Sequence, residues 1–282
     1  RPPRSTPKPS SAASDVYKRQ AYIEKTATVM IDTDLHGIDS HGMGMLSAYN
    51  NWRKMGCIVF DASITVLTDL PSLSLIDGGG GLGHPVGVEG MNIAIDKARE
   101  TGIGIVTARH SNHFGAAGYY AKMALDHNLI GIAMTGTPGS AVVPTFGKQN
   151  MLGTNPIAFA APTRRNPPFL LDMGSGMLSG GAFEKMPDLF FKSIGLSHVA
   201  NIMSGTLGGQ MLPQFDRRRT RYKGADQSAF FLALDIERFV PLAAFKDNVD
   251  HLLDEVGKMQ PFPGYACLLY TSDAADEGLG VD

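Results

Sequence analysis

Short apolar runs alternate along the chain with segments whose apolar residues recur three and four apart, and that alternation predicts an α/β protein. The stretch AYIEKTATVMIDTDLHGIDSHGMGMLSAYNNWRKMG begins with a helical period, passes a polar turn and resumes as a second helix expected to start near His41. Strands are predicted at Ile64 to Leu67 and Leu73 to Ile76, followed by the glycine run Asp77 to Gly83. A helix over Gly87 to Glu100 then leads to a strand at Gly104 to Ala108, a turn bearing two histidines, a helix at Gly118 to Asn128 and a strand at Leu129 to Thr135. Beyond that point glycine and proline break the chain into loops, with short strands at Pro156 to Ala160 and Phe169 to Asp172. Helices at Ile194 to Leu207 and Leu242 to Lys258 flank a last strand, Ala229 to Asp235. Some strands follow each other without a helix between them, so the expected architecture is a mixed sheet with flanking helices.

Composition narrows the function classes. Of 282 residues, 43% are apolar and 18% charged, and the formal charge is −2, which describes a globular chain with no basic face for nucleic acid. No apolar run is long enough to span a bilayer, and no signal-peptide pattern opens the chain, so no membrane partner is expected. The two ends stand apart from the rest. SSAASDVYKRQ near the start and CLLYTSDAADE near the finish can be read from the two strands of one short DNA stretch, and the pair resembles a translated sequencing-library adapter. Residues 1–20 and 267–282 are therefore expected to be a non-native leader and tail around a domain at 21–266. With Cys267 in the tail, Cys57 is left alone, which suits a reducing cytosol and a cytoplasmic protein.

Three stretches carry candidate chemistry. Arg109-His-Ser-Asn-His-Phe-Gly115 sets His110 and His113 three apart between a strand and a helix, where side chains are commonly presented to a cleft. Such a pair suits proton transfer, but it is also half of a zinc site, and no cysteine pair or His-Glu-x-x-His string supplies the other half. Asp39-Ser40-His41-Gly42 offers a hydroxyl and an imidazole at the expected helix start, where Ser40 could equally be only a cap. Leu152-Gly-Thr-Asn-Pro-Ile-Ala158 holds Thr154 and Asn155 in a turn before a strand. Gly78, Gly80 and Gly83 also satisfy G-x-G-x-x-G between strand and helix, the pattern of a dinucleotide or phosphate loop. In a run this dense in glycine some match is nearly forced, so a plain turn is the preferred reading.

Taken in order, DLHGIDSHGMGMLSAY, GIVTARHSNHFGAAGYYAKMA, LIGIAMTGTPGSAVVPTFGKQNMLGTNPIAFAAP and LLDMGSG resemble the malate/L-lactate dehydrogenase family of NAD(P)-dependent 2-hydroxy-acid oxidoreductases. The resemblance implies a non-Rossmann, L-sulfolactate dehydrogenase-like α/β fold and a homodimer that binds NAD or NADP. It also implies hydride transfer between the nicotinamide and a small 2-hydroxy or 2-keto acid. A cofactor lobe is expected at about residues 68–195. By the same resemblance His113 is the proton acceptor and His41 the second catalytic histidine, while Ser40 and Tyr49 lie near the substrate. Thr137, Leu171, Asp172, Met173 and Lys192 would contact the cofactor, and no metal is implied. The match departs from the family at Met45, where an arginine usually grips the substrate carboxylate; Arg109 and Arg53 are the substitutes to consider. It departs again in the short segment between Met173 and Lys192 and after Tyr265. Those departures keep an alternative open: an incomplete or inactive relative that retains the scaffold and binds little cofactor.

Overall fold

The computed structural model describes residues 9–136, 153–175, 187–209 and 223–259. Its centre is one seven-stranded mixed sheet in the order β1-β2-β3-β7-β4-β5-β6. The strands are β1 (Thr65–Asp69), β2 (Leu73–Asp77), β3 (Ile103–Ser111), β4 (Leu129–Gly136), β5 (Pro156–Ala161), β6 (Phe169–Gly174) and β7 (Gln227–Asp235). Only β2 and β3 run parallel, because only they are joined by a long helical crossover, α3 (Gly83–Thr101); the other neighbours are antiparallel. β7 is last in sequence yet sits between β3 and β4.

Strand alternation sorts the sheet into two faces. Gly131, Ala133, Ala158, Ala160, Leu170 and Asp172 share one face through the β4-β5-β6 register, and there α3 and α4 (Ala117–Met123) pack with α1 (Pro9–Leu35) behind them. Small residues set that packing distance. A Cβ at Gly90 would come within 2.6 Å of the Phe231 ring, so α3 lies directly on β7. Tyr120, Phe231, Met91 and Val106 fill the space this leaves, all fully buried. The opposite face carries α5 (Pro187–Asn201) and the π-helical turn Ile202–Thr206, whose Ser204 and Asn201 bear on Gly136. The last helix, α6 (Leu242–Lys258), has the bounds its amphipathic period predicts. Its fully buried Asp250 accepts the backbone N–H groups of Arg164, Arg165 and Asn166 and so anchors the β5–β6 connection.

Several expected boundaries move. α2 starts at Leu46, not near His41, after a 3₁₀ turn at Met43–Met45, so Ser40 is not its cap. α3 begins inside the glycine run at Gly83, four residues before the expected start, with Pro85 in the first turn where its missing N–H costs nothing. β3 continues past Ala108 to Ser111, so His110 belongs to the strand rather than to the following turn. α5 begins at Pro187 rather than Ile194. α1 runs unbroken through residue 20.

Candidate active site

The end of β3 is held by a seam of backbone bonds to the glycine run. Gly78, Gly80 and Gly83 donate their N–H groups to the carbonyls of Arg109, His110 and His113, at 2.8, 2.8 and 3.1 Å. Asn112 completes the seam: its side-chain amide donates to the carbonyls of Gly80 and Gly81, both at 3.0 Å. The Leu82 N–H is taken by the Tyr22 hydroxyl at 2.6 Å. These glycines therefore do not form a phosphate loop, because their amides are spent on positioning the histidine turn. A Cβ at Gly83 would lie 2.8 Å from the His113 oxygen and 2.5 Å from the Phe114 Cβ, which is why glycine is required there.

That turn brings together residues distant in sequence. The His41 and His113 rings stand 5.2 Å apart between centroids, tilted by 33°. Ser40 Oγ lies 2.7 Å from His41 Nδ1. The Tyr49 hydroxyl, from α2, lies 2.7 Å from His113 Nδ1 and 3.5 Å from His84 Nε2. The Gly115 N–H lies 3.4 Å from His113 Nδ1, and Gly115 itself has the left-handed φ of 78° that makes this turn possible. Four of the expected residues, Ser40, His41, Tyr49 and His113, thus form one cluster, and His84 joins them unforeseen.

Burial governs the electrostatics of the cluster. Desolvation first, and then the neighbouring His41, push the His113 pKa down to about 3, so the imidazole rests neutral rather than near neutrality in titration. His84, fully buried, is pushed to about 3 by burial and then by His113. Burial likewise raises the Tyr49 hydroxyl well above its ordinary value, so it remains protonated. A neutral imidazole hydrogen-bonded to a phenol is suited to accepting a proton from a substrate hydroxyl. A bound substrate carboxylate would raise the His113 pKa and enable the reverse transfer.

His110 has a different environment. Its Nδ1 lies 2.9 Å from Asp77 Oδ2, and Arg109 Nε reaches the same oxygen at 3.3 Å. Burial pushes Asp77 up, but His110, the Gly79 N–H and Arg109 together outweigh it and hold the carboxyl below its usual range. Arg109, expected at the substrate, therefore has its guanidinium Nε engaged by Asp77. Arg53 is exposed and reaches Asn50 Oδ1 at 3.1 Å. Met45 packs with Met30, Tyr49, Ile58 and Leu82. Behind Tyr49 is an apolar cavity of about 280 Å³, lined by Tyr22, Ile23, Met30, Leu46 and Phe60 among others, with Arg53 also on its wall.

The expected cofactor residues divide. Leu171 and Met173 point to the sheet face that carries α5, and both are partly exposed. Asp172 alternates to the other face, where it is buried and accepts the Gly118 N–H at 2.6 Å. Burial, partly offset by that bond, raises its pKa to about 6. Lys192 lies within the backbone span of α5, but its side chain is outside the described part, and Thr137 lies outside the described residues. The short segment after Met173 and the chain after Tyr265 also fall outside them. Among the described residues no group of three or more His, Cys, Asp or Glu could hold a metal. Sequence reasoning missed His84, whose only signal was an imidazole directly after a glycine run.

A mixed sheet at whose edge the turn after β3, the turn before α2 and α2 itself gather two imidazoles and a phenol defines a class, an α/β fold with groups suited to acid–base chemistry. Residues 14–189 match the sequence profile of a family described as malate/L-lactate dehydrogenase. The chain is 36% identical to the malate dehydrogenase of Pyrococcus horikoshii, over 86% of this chain and 79% of that one. It is 32% identical to the L-sulfolactate dehydrogenase of Methanocaldococcus jannaschii, over 86% and 80%. The solved structures of a malate dehydrogenase from P. horikoshii and of the M. jannaschii sulfolactate dehydrogenase superpose with TM-scores of 0.79 and 0.77. They cover 93% and 91% of this chain, and this chain covers 83% and 84% of them. The protein belongs to the malate/L-lactate dehydrogenase family and is an enzyme of the oxidoreductase class.

Proposed function

We propose that the protein interconverts a small 2-hydroxy acid and its 2-keto acid with NAD or NADP, and that His113 accepts and returns the proton on the substrate oxygen. The observation that carries this reading is the buried His113 ring, set 5.2 Å from His41 and with Tyr49 at its Nδ1. A bound nicotinamide supplies the hydride acceptor or donor. Partly exposed apolar side chains at Leu171 and Met173 suit the flat ring of such a cofactor, with Thr137, Asp172 and Lys192 assigned to the same site and Asp172 acting through the Gly118 amide. His41, steadied by Ser40, flanks the substrate oxygen as the second imidazole.

The carboxylate requires a cation, and Met45 supplies none. Arg109 and Arg53 are the candidates, of which Arg53 is the less committed because its side-chain partner among the described residues is a neutral amide. The names of relatives, malate, sulfolactate and 2,3-diketo-L-gulonate among them, define the substrate panel. A homodimer and a cytoplasmic setting complete the reading, supported by apolar Ile31 and Leu35 left exposed on α1 and by the free thiol of Cys57. No helix among the described residues is long and apolar enough to cross a membrane.

The test is oxidation of NADH and NADPH against that panel, with His113→Ala beside the wild type. Turnover abolished by the substitution while NADH fluorescence still reports binding supports the reading. Absence of both turnover and binding sinks it in favour of a scaffold-only relative. Arg53→Gln and Arg109→Gln separate the carboxylate partner by which one raises KM.

A further inference from the structure

His84 enters none of the steps above, yet it is fully buried in the first turn of α3, an unfavourable place for an imidazole. Its Nδ1 is the one buried side-chain nitrogen or oxygen among the described residues that has no hydrogen-bond partner. A leucine would fill the same space without that cost. What the imidazole offers instead is Nε2, 3.5 Å from the Tyr49 hydroxyl, which in turn lies 2.7 Å from His113 Nδ1. The ring lies against Gly115, where a Cβ would fall 3.2 Å from Nε2, so glycine leaves it room.

A base at His113 Nε2 must carry its resting proton on Nδ1. That N–H needs an acceptor, and the Tyr49 oxygen can accept it only if the tyrosine's own proton points elsewhere. We infer that His84 is a positioning residue whose Nε2 receives the Tyr49 O–H, its own proton lying on the unpartnered Nδ1 at a cost the fold carries, so that the Tyr49 oxygen accepts His113 Nδ1–H and leaves His113 Nε2 bare to take the substrate proton. The inference rests on the proposed proton role of His113. No proton travels beyond His113, and no bond to Tyr49 or His84 forms or breaks. When the substrate O–H proton moves to His113 Nε2, the imidazolium keeps its Nδ1–H on Tyr49; in the reverse direction Nε2 returns the proton to the keto oxygen as hydride arrives at carbon.

The groups that bear on this chain of hydrogen bonds come from several elements. Tyr49 comes from α2, His113 and the Gly115 amide from the turn after β3, and His41 faces His113 from the other side. The Gly115 N–H opposes the arrangement, because it also aims at Nδ1 and favours a bare nitrogen there. Without His84, the Tyr49 O–H would turn to His113 Nδ1 and join Gly115, leaving His113 in the Nε2–H tautomer that cannot act as a base.

The experiment compares the full-length wild type with His84→Leu and His84→Gln by ¹⁵N-histidine NMR of the His113 tautomer and by the pH profile of kcat/KM. The wild type is expected to show His113 protonated at Nδ1. The leucine variant should show it at Nε2, with hydroxy-acid oxidation reduced about tenfold, the worth of one buried hydrogen bond. The alkaline limb of its keto-acid reduction should move toward lower pH, because the Tyr49 O–H, no longer held by His84, turns toward His113 Nδ1 and disfavours the imidazolium. Glutamine, which retains an acceptor, should restore both. If the leucine variant does not fold, Tyr49→Phe serves instead and should give the same tautomer change. An unchanged His113 tautomer and pH profile in folded His84→Leu overturns the inference. A tautomer change in a protein that turns over no acid on the panel supports the hydrogen-bond chain and overturns the proposed reaction.

Discussion

His110 and His113 are three residues apart, yet their surroundings are opposite. His110 ends a strand beside a carboxylate that also holds an arginine, so charge surrounds it and fixes it. His113 lies one turn on among a phenol, an amide and two other imidazoles, with no carboxylate among its hydrogen-bond partners in the described residues, and burial lowers its pKa. On the proposed reading the same side chain is a structural post in one place and a base in the other. The difference comes from what the neighbouring elements deliver: β2 brings Asp77 to one histidine, and α2 brings Tyr49 to the other.

The comparison breaks first under substitution of the histidines themselves. His113→Asn should lower kcat by roughly 10²- to 10⁴-fold, the range for a lost general base, with cofactor fluorescence unchanged. His110→Asn should leave kcat within a few-fold and lower stability instead; equal losses of kcat in both would erase the distinction. Next in size is the seam that separates the two sites. Gly83→Ala forces a Cβ onto the Phe114 Cβ and the His113 carbonyl, and should cost about 1–3 kcal/mol in urea unfolding along with activity. Asp77→Asn, which takes the carboxylate away from His110 and Arg109, should cost a similar 1–3 kcal/mol, about that of a broken buried charge pair, while activity per folded molecule is retained.

The smallest effect is the pH dependence of stability. His84 and His113 have pKa values of about 3 in the fold against 6.5 unfolded, so between those values the unfolded chain binds protons that the native chain refuses. Stability should therefore fall as pH drops from about 6.5 toward 3. Asp172 works the other way: with its pKa raised from 3.8 to about 6, its contribution is full below 3.8 and lost as pH rises through 6. The two histidines outweigh this one carboxyl, the carboxylates held below their usual range, Asp77 and Asp250 among them, add to the decline on acidification, and His84→Gln should flatten it by one proton's worth. A urea midpoint that does not fall on acidification would contradict the buried, neutral state of this site.

Much of this arrangement was legible in the chain. The 3.6-residue period of Leu242–Lys258 gave both its ends, since α6 is amphipathic and is bounded by proline on one side. The ordered motifs around His41, His113 and Asp172 pointed to the family before any contact was known. What sequence did not disclose depends on partners far along the chain. The start of α3 lies at Gly83 because that amide meets the His113 carbonyl thirty residues on, and local propensity alone sets it later. β3 reaches Ser111 because Gln227, from β7, pairs with it across a bulge where His110 takes a φ of 52°. His84 could not be singled out, since its significance lies in a hydroxyl supplied by Tyr49.

The place of β7 governs how this molecule can be made. A ribosome releases β3 and β4 long before Gln227 emerges, and until then the two strands bound a gap with their facing edges unpaired. The nascent sheet is therefore two pieces awaiting a keystone, and an early stop before residue 227 would release a product with two open edges.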